Sequence, residues 1–274
     1  MAYRLNTATA THPGKKNKVN EDAVFASSHP DGPEGPVGLL VVSDGIGGRK
    51  AGGTASQMAI EIIHSDVLSY VSTKKPSKSS LIPNFFVRNK RDRQIINLSD
   101  MLRRAIEKAN TAIYAYAQNN QEEAGNLGCT LTCVLVENNI AIIGNVGDSR
   151  AYHLHNKQLM KITDDHSVVG ELVRRGILPE DAYYDNPHRR IITRSLGNKP
   201  EIEVDIWTRT LSGFDRLLLC TDGLWEMIPD HDRLTQLIQS SSRLPKVGKK
   251  LIDEAKKNGA RDNISVALGE IVIG

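Results

Sequence analysis

The sequence predicts an α+β fold in which sheets and helices are segregated into layers. Three observations carry this. Two helical stripes stand early in the chain, a block of short apolar runs joined by turns fills the middle, and one more amphipathic helix precedes a final apolar strand. A chain built from βαβ units would instead alternate strand and helix throughout.

The elements follow in order. Val37–Ser43 (VGLLVVS) is a near-continuous apolar run, which reads as a buried strand. Residues 44–53 are glycine-rich and read as a turn, and a helix from Ala55 aligns Ile60, Ile63, Val67 and Val71. Residues 72–98 lose periodicity and gain Lys, Arg, Ser and Pro. A second helix is expected near Ser99, an N-cap type, with Asp100 in its first turn. Its stripe is Leu102, Ala105, Ile106, Ala109, Ile113 and Ala117. Residues 130–136, Ile140–Val146 and 151–154 then read as strands, the first two joined by an Asn138-Asn139 turn. A helix is expected over 167–175, with Gly176 as its terminator. Arg216–Cys220 reads as a buried strand, Leu244–Lys257 as a helix ended by Gly259, and 264–271 as the last strand. No repeat or linker divides the chain, so 1–274 is expected to be one domain.

Composition narrows the class. The chain has 274 residues, 39% hydrophobic and 24% charged, which argues against a disordered, collagen-like or coiled-coil protein. Aromatics are 5%, too few for a large aromatic platform, and a net charge of +3 does not by itself imply nucleic-acid binding. The first ten residues hold no signal-like apolar core, and no stretch of about 18 apolar residues could span a membrane. Three cysteines without a signal fit a reducing compartment, so a cytoplasmic location is expected. Cys129 and Cys133 lie four apart on one strand face and read as small buried side chains rather than a metal pair. Six residues after Cys220 stands Glu226, not Arg, so a cysteine-nucleophile phosphatase loop is unsupported.

The chemistry is concentrated in acidic turns that follow apolar strands. Asp44 precedes Gly45, Asp222 precedes Gly223, Asp148 sits between Gly147 and Ser149, and Asp262 precedes Asn263 and the last strand. A single Asp-Gly is an ordinary turn dipeptide. Several carboxylates at strand ends would repel one another unless a hard cation such as Mg²⁺ or Mn²⁺ held them. Asn20-Glu21-Asp22 adds two adjacent acids; in extended chain they face opposite ways, so one is expected to act directly and the other through water. Residues 47–54 (GGRKAGGT) open a helix and could cradle phosphate or simply pack, but they lack the Gly-Lys-Ser/Thr ending of a Walker loop.

Taken together the set resembles the metal-dependent serine/threonine protein phosphatases of the type 2C or PPM family, bacterial type. The matching segments are NEDA (20–23), SDGIGGRKAGGTAS (43–56), GCTLTCVLV (128–136), IGNVGDSRAY (143–152), ITDDHS (162–167), ITRSLG (192–197), LLLCTDGLWE (217–226) and RDNISV (261–266), in the family's order and over nearly the whole chain. The resemblance implies a four-layer α-β-β-α sandwich of two antiparallel sheets flanked by helix pairs. It implies two Mn²⁺ or Mg²⁺ ions at one end. Asp44 would bridge both, the Gly45 carbonyl would bind one, Asp222 and Asp262 would complete the first, and Glu21 and Asp22 would supply or support the second. Asp148 with Asp222 would hold a third, weaker ion. Residues from about 166 to 191, including His166, Ser167 and Gly176, would form a flap. Phosphoserine and phosphothreonine in proteins would be hydrolysed by a metal-bridging water, without a phosphoenzyme. A monomer opposing a serine/threonine kinase is expected.

Three departures stand out. Where many members carry a phosphate-gripping Arg, this chain has Asn17, flanked by Lys15, Lys16 and Lys18; Asn17, Lys16 and Lys18 are the candidates for substrate phosphate, with a raised KM expected. Ile46 occupies a position that holds His in eukaryotic members, so a metal-bound water would protonate the leaving group; His166 beside Asp165 is assigned a structural or flap role. Residues 72–99 hold seven basic residues and one acid, Asp92, which leaves the rest of the chain at −3. This stretch reads as a solvated insertion or as a docking loop for an acidic partner, a membrane surface or nucleic acid. A non-catalytic phosphoprotein binder and a module acting through the basic loop are the alternatives, and the complete carboxylate set favours the enzyme.

Overall fold

Strand pairing fixes the architecture. The computed structural model describes residues 3–17, 19–47, 51–73, 89–120 and 127–273. One antiparallel sheet has the order β1 (Tyr3–His12), β12 (Ile264–Ile273), β11 (Arg216–Cys220), β8 (Arg150–His155), β9 (Gln158–Lys161). The other has the order β10 (Asp205–Thr210), β7 (Ile140–Val146), β6 (Leu131–Glu137), β3 (Val37–Ser43), β2 (Ala23–His29). A two-stranded ribbon pairs β4 (Gly45–Ile46) with β5 (Gly128–Cys129).

Alternating side chains build three apolar layers. Between the sheets lie Leu5, Leu40, Val42, Val134, Ile143, Leu217, Leu219 and Ala267. The opposite face of the second sheet packs on helices α1 (Ala51–Ser72) and α2 (Lys90–Asn119) through Leu39, Val41, Ile63, Leu102 and Ile106. The opposite face of the first sheet packs on α6 (His231–Gln239) and α7 (Leu244–Lys257) through Leu218, Val266, Leu237 and Leu251. Each fully buried Leu or Ile contributes about 1.5–3 kcal/mol. The four-layer α-β-β-α sandwich is therefore the fold. Three short helices, α3 (Val168–Arg174), α4 (Ala182–Asp185) and α5 (Asp222–Trp225), add Val169, Ala182, Tyr183, Leu224 and Trp225 to the layer that holds α6 and α7.

Two helix starts differ from expectation. The second helix begins at Lys90, not near Ser99, because Asn89 caps it by accepting the Asp92 N–H. The apolar stripe reaches back through Leu98, which is buried, and Ile95, which packs on the same core. Lys90, Arg91 and Arg93 are therefore helical, and Lys90 Nζ pairs with Glu34 at 2.6 Å. The basic stretch is shortened accordingly; Lys74, Lys75, Lys78, Phe85, Phe86 and Arg88 lie outside the described residues. The first helix starts at Ala51 rather than Ala55, so Gly52 and Gly53 are helical. The expected Asn138-Asn139 hairpin is present, with Glu137 opposite Ile140 and Asn138 at φ 55°.

Candidate metal-binding active site

The strand register gathers the acidic turns at one end of the sandwich. Cys220 of β11 pairs with Arg150 of β8 and with Val266 of β12, so the chain after β11, before β8 and before β12 emerges together. Ser43, the last residue of β3, pairs with Ala23, the first of β2. Asp222, Asp148, Asp262, Asp44 and Asp22 are the residues just beyond those strand ends.

Backbone contact holds the turns close. A Cβ on Gly223 would stand 1.8 Å from the Asn263 carbonyl, and one on Gly45 would stand 2.3 Å from the Gly52 carbonyl carbon. Only glycine permits the α5 turn to lie against the β12 turn, or the Asp44 turn to lie against the start of α1. Thr130 fastens the Asp44 turn twice: its N–H donates to the Asp44 carbonyl at 2.9 Å, and its Oγ1 accepts the Asp44 N–H at 3.0 Å. Asn263 accepts the Glu21 N–H through Oδ1 at 2.8 Å and donates through Nδ2 to the Pro13 and Val19 carbonyls. Ser56 Oγ donates to the Glu21 carbonyl at 2.6 Å. Thr221 Oγ1 donates to Asp22 Oδ2 at 2.9 Å and accepts the Ser265 N–H at 3.0 Å.

The electrostatics show carboxylates crowded out of water. Burial, and then the charges of Asp22, Asp222, Asp148 and Asp262, hold the Asp44 carboxyl well above its usual range. Asp222 is raised in the same way by burial and by Asp148, Asp262, Glu226 and Asp22. Asp22 is pushed up to about 7, first by burial and further by Asp262, against the lowering hydrogen bonds of Ser265 and Thr221. Asp148 is also pushed up to about 7, chiefly by burial and by Asp165, with Arg150 opposing. Glu21 Oε1, Asp22 Oδ1 and Asp222 Oδ1 are buried and have no hydrogen-bond partner among the described residues. Buried orphan oxygens within a mutually repelling acidic group match the ligand set of a hard divalent cation, so these residues fit one. Glu21 and Asp22 each present such an oxygen, whereas alternation along a strand had assigned only one of them a direct role.

The remaining candidates fall at the rim. Asn17 is exposed, and its amide donates to Asp262 Oδ1 at 2.9 Å, so it is engaged with a carboxylate. Lys16 is exposed, and Lys18 lies outside the described residues. His166 is buried; its Nδ1 accepts the Gly147 N–H at 3.0 Å, and its Nε2 faces Asp205 Oδ2 at 3.1 Å. Ser167 caps α3 by accepting the Gly170 N–H, and Gly176 and Ile177 close that helix on the Val173 and Leu172 carbonyls. The excursion from 167 to 192 is closed at its base by a bridge between Ser167 and Ile192.

A second tier of residues was not singled out from the sequence. Arg150 forms a buried pair with Asp165, NH2 to Oδ2 at 2.6 Å, and its guanidinium lies 3.6 Å from the Trp225 ring centre and 4.6 Å from that of Tyr183. Trp225 donates its indole N–H to the Asp148 carbonyl at 3.0 Å. Arg189 and Arg190 both reach Glu226, each at 3.5 Å, and Glu226 is one turn beyond Asp222. The signal for Arg150 and Trp225 was their place in the quoted segments IGNVGDSRAY and LLLCTDGLWE. Cys129 and Cys133 are buried, and burial pushes both thiols up to about 12, so neither is a nucleophile.

The fold is a layered sandwich with acidic turns gathered at one end. The protein phosphatase 2C family profile matches residues 11–255. A serine/threonine phosphatase, stp, of Listeria monocytogenes is 32% identical over 232 residues, covering 85% of this chain and 84% of that protein. The crystal structure of the serine/threonine phosphatase Stp1 from Staphylococcus aureus superposes with a TM-score of 0.80 at 30% identity, covering 98% of this chain and 96% of that one. The catalytic domain of the serine/threonine protein phosphatase PstP, in complex with two manganese ions, superposes with a TM-score of 0.77 at 27% identity, covering 99% of this chain and all of that one. The chain belongs to the protein phosphatase 2C family. By class it is a protein serine/threonine phosphatase. No helix among the described residues is long and apolar enough to cross a membrane.

Proposed function

We propose that the chain hydrolyses phosphoserine and phosphothreonine in proteins with two Mn²⁺ or Mg²⁺ ions held by its acidic turns, and that it opposes a cytoplasmic serine/threonine kinase. The observation that carries this is the group of half-buried Asp22, Asp44 and Asp222 with buried Asp148, and the orphan oxygens on Asp22, Asp222 and neighbouring Glu21. Asp44, Asp222 and Asp262 would hold the first ion; Asp44, Glu21 and Asp22 would hold or support the second; the Gly45 carbonyl would bind one of the two; Asp148 with Asp222 would take a third. Bound divalent ions supply a water acidified enough to attack phosphorus and positive charge for the phosphoryl oxygens.

The chain's own residues do the positioning. Thr130 and Thr221 fix the Asp44 turn and one Asp22 oxygen, leaving the other Asp22 oxygen open to a ligand. Asn263 ties the Glu21 backbone to the β12 turn, so the acids of the N-terminal segment and Asp262 keep one spacing. Trp225 and Arg150 anchor the Asp148 turn to α5, which starts at Asp222. Preorganised charge of this kind accounts for much of the rate of phosphoryl transfer.

Purified protein with added Mn²⁺ is expected to release phosphate from a phosphothreonine peptide and from an aryl phosphate, and EDTA is expected to stop both. Asp44→Ala and Asp222→Asn are expected to abolish activity. Full activity in either variant, or in EDTA, overturns the reading.

A further inference from the structure

At the other end of β11 from Asp222, a second polar cluster interrupts the apolar layer between the sheets. Strand β8 runs Arg150–His155, and its odd-numbered residue Ala151 belongs to the inter-sheet core. By strand alternation His153 and His155 point the same way as Ala151. His153 is paired in register with Leu217, itself an inter-sheet residue. An apolar pair of side chains would complete that layer; the chain instead places two imidazoles there, opposite Asp215, the residue just before β11.

The three side chains converge. His153 Nε2 lies 2.9 Å from Asp215 Oδ2, and His155 Nδ1 lies 2.8 Å from Asp215 Oδ1. One ligand atom from each of the three residues lies within 4.8 Å of the other two. The Ser212 N–H donates to Asp215 Oδ2 at 2.8 Å and fixes the carboxylate plane. Asn156 Nδ2 lies 2.9 Å from His155 Nε2 and orients the outer ring. The His153 and Asp215 side chains are each 4% exposed, whereas that of His155 is 37% exposed, so the cluster opens to solvent on one side only. His153 Nδ1 is buried without a hydrogen-bond partner among the described residues. That nitrogen is the one turned away from Asp215, so it is Nε2 that faces the cluster.

We propose that His153, His155 and Asp215 bind a borderline divalent transition ion of the Zn²⁺ class, at a site separate from the acidic turns. Two imidazole nitrogens and one carboxylate oxygen, with water as a fourth ligand from the His155 side, form a ligand set typical of four-coordinate zinc. Donors in such a site stand about 3.3 Å apart, about half an ångström more than each imidazole nitrogen now stands from the Asp215 oxygen it faces. Imidazole selects against Mg²⁺, whereas the all-oxygen pocket at the other end suits it, so the two ends of β11 sort different ions. The bound ion would clip the β8 end to the 212–215 turn. The inference does not rest on the phosphatase reading.

The test is Zn²⁺ binding by equilibrium dialysis in excess Mg²⁺, comparing the full chain with His155→Ala and Asp44→Asn. His155 is half-buried at the edge, so His155→Ala is expected to fold, which its circular dichroism and retained phosphatase activity would verify. The full chain and Asp44→Asn should each hold one Zn²⁺ that His155→Ala lacks. Zn²⁺ should raise the melting temperature of the first two and not of the third. Co²⁺ substituted into the full chain should show the intense visible bands of a four-coordinate site, lost in His155→Ala. Equal Zn²⁺ stoichiometry in the full chain and His155→Ala, or a Zn²⁺ that disappears with Asp44→Asn but survives His155→Ala, overturns the proposal.

Discussion

The Asn17 side-chain amide donates to Asp262 Oδ1 at 2.9 Å. The same oxygen accepts the Asn263 N–H at 2.9 Å, so two donors orient one carboxylate oxygen at the rim of the acidic pocket. A residue that orients a ligand changes metal affinity by about 10–100-fold when removed. Asn17→Ala is therefore expected to raise the Mn²⁺ concentration for half-maximal activity by about tenfold. At saturating Mn²⁺ the KM for a phosphopeptide should stay close to that of the parent. Metal titrations at fixed substrate, then substrate titrations at fixed metal, separate the two effects. A raised KM with unchanged metal dependence would return Asn17 to a phosphate-contact role.

Arg150 and Asp165 make a second testable pair. Both side chains are almost wholly buried, the contact is 2.6 Å, and the guanidinium lies against the Trp225 and Tyr183 rings. Removing one member of such a pair leaves an uncompensated buried charge and costs about 3–5 kcal/mol. Arg150→Met should lose that much in urea unfolding. The double variant Arg150→Met with Asp165→Leu should recover part of the loss. Because Tyr183 belongs to the excursion closed by Ser167 and Ile192, Arg150→Met should also speed proteolysis within 167–192.

What could be read from the chain follows the physics of exposure. The inner strands β3, β6, β7, β8, β11 and β12 are lined by buried side chains, and their apolar runs marked them to within about two residues. In the two five-stranded sheets, the strands that carried no signal, β1, β2, β9 and β10, are the edge strands. Sequences such as YRLNTATATH and DIWTRT are half-exposed and mix polar with apolar residues on both faces. The acidic turns were legible because Asp-Gly after a buried strand is a local pattern. Thr130, Thr221 and Ser56 were not, because a hydroxyl that reaches 35 or more residues along the chain to its partner leaves no local trace.

His166 ties acidity to the Asp148 turn. Its Nδ1 accepts the backbone N–H of Gly147, which places the ring proton on Nε2, facing Asp205. Burial, with the charge of Arg194, lowers its pKa below the ordinary 6.5, against the opposing pull of Asp205. For a base with a lowered folded-state pKa, the unfolded chain binds more protons as pH falls. Its contribution is therefore present above about pH 6.5 and lost progressively below it. The carboxylate pocket sets the overall pH trend, so His166 is read by difference: the gap in urea midpoint between the Mn²⁺-free parent and His166→Ala should narrow on the acid side of pH 6.5. His166→Ala should also lose about 1–3 kcal/mol at neutral pH, since the Gly147 N–H loses its acceptor.

The carboxylate pocket gives the opposite sign. Asp22 and Asp148 are pushed up from 3.8 to about 7, and Asp44 and Asp222 are also held well above the usual carboxylate range, all first by burial. For an acid with a raised folded-state pKa, the folded chain holds the extra protons, so stability falls as pH rises from about 4 through about 7. Divalent ions reverse this, because they bind the ionised carboxylates and must displace the protons. At 100-fold excess over its Kd a metal bound only to the folded state adds about 2.7 kcal/mol. The gap in melting temperature between Mn²⁺-loaded and EDTA-treated protein should therefore widen as pH rises past about 7. Asp44→Asn removes one of the repelling charges. In EDTA it should melt above the parent at neutral pH, while its Mn²⁺-induced gain should shrink and its activity should vanish. A parent protein whose EDTA form is most stable at neutral pH, with a Mn²⁺ gain independent of pH, would contradict the ionised-cluster account of this site.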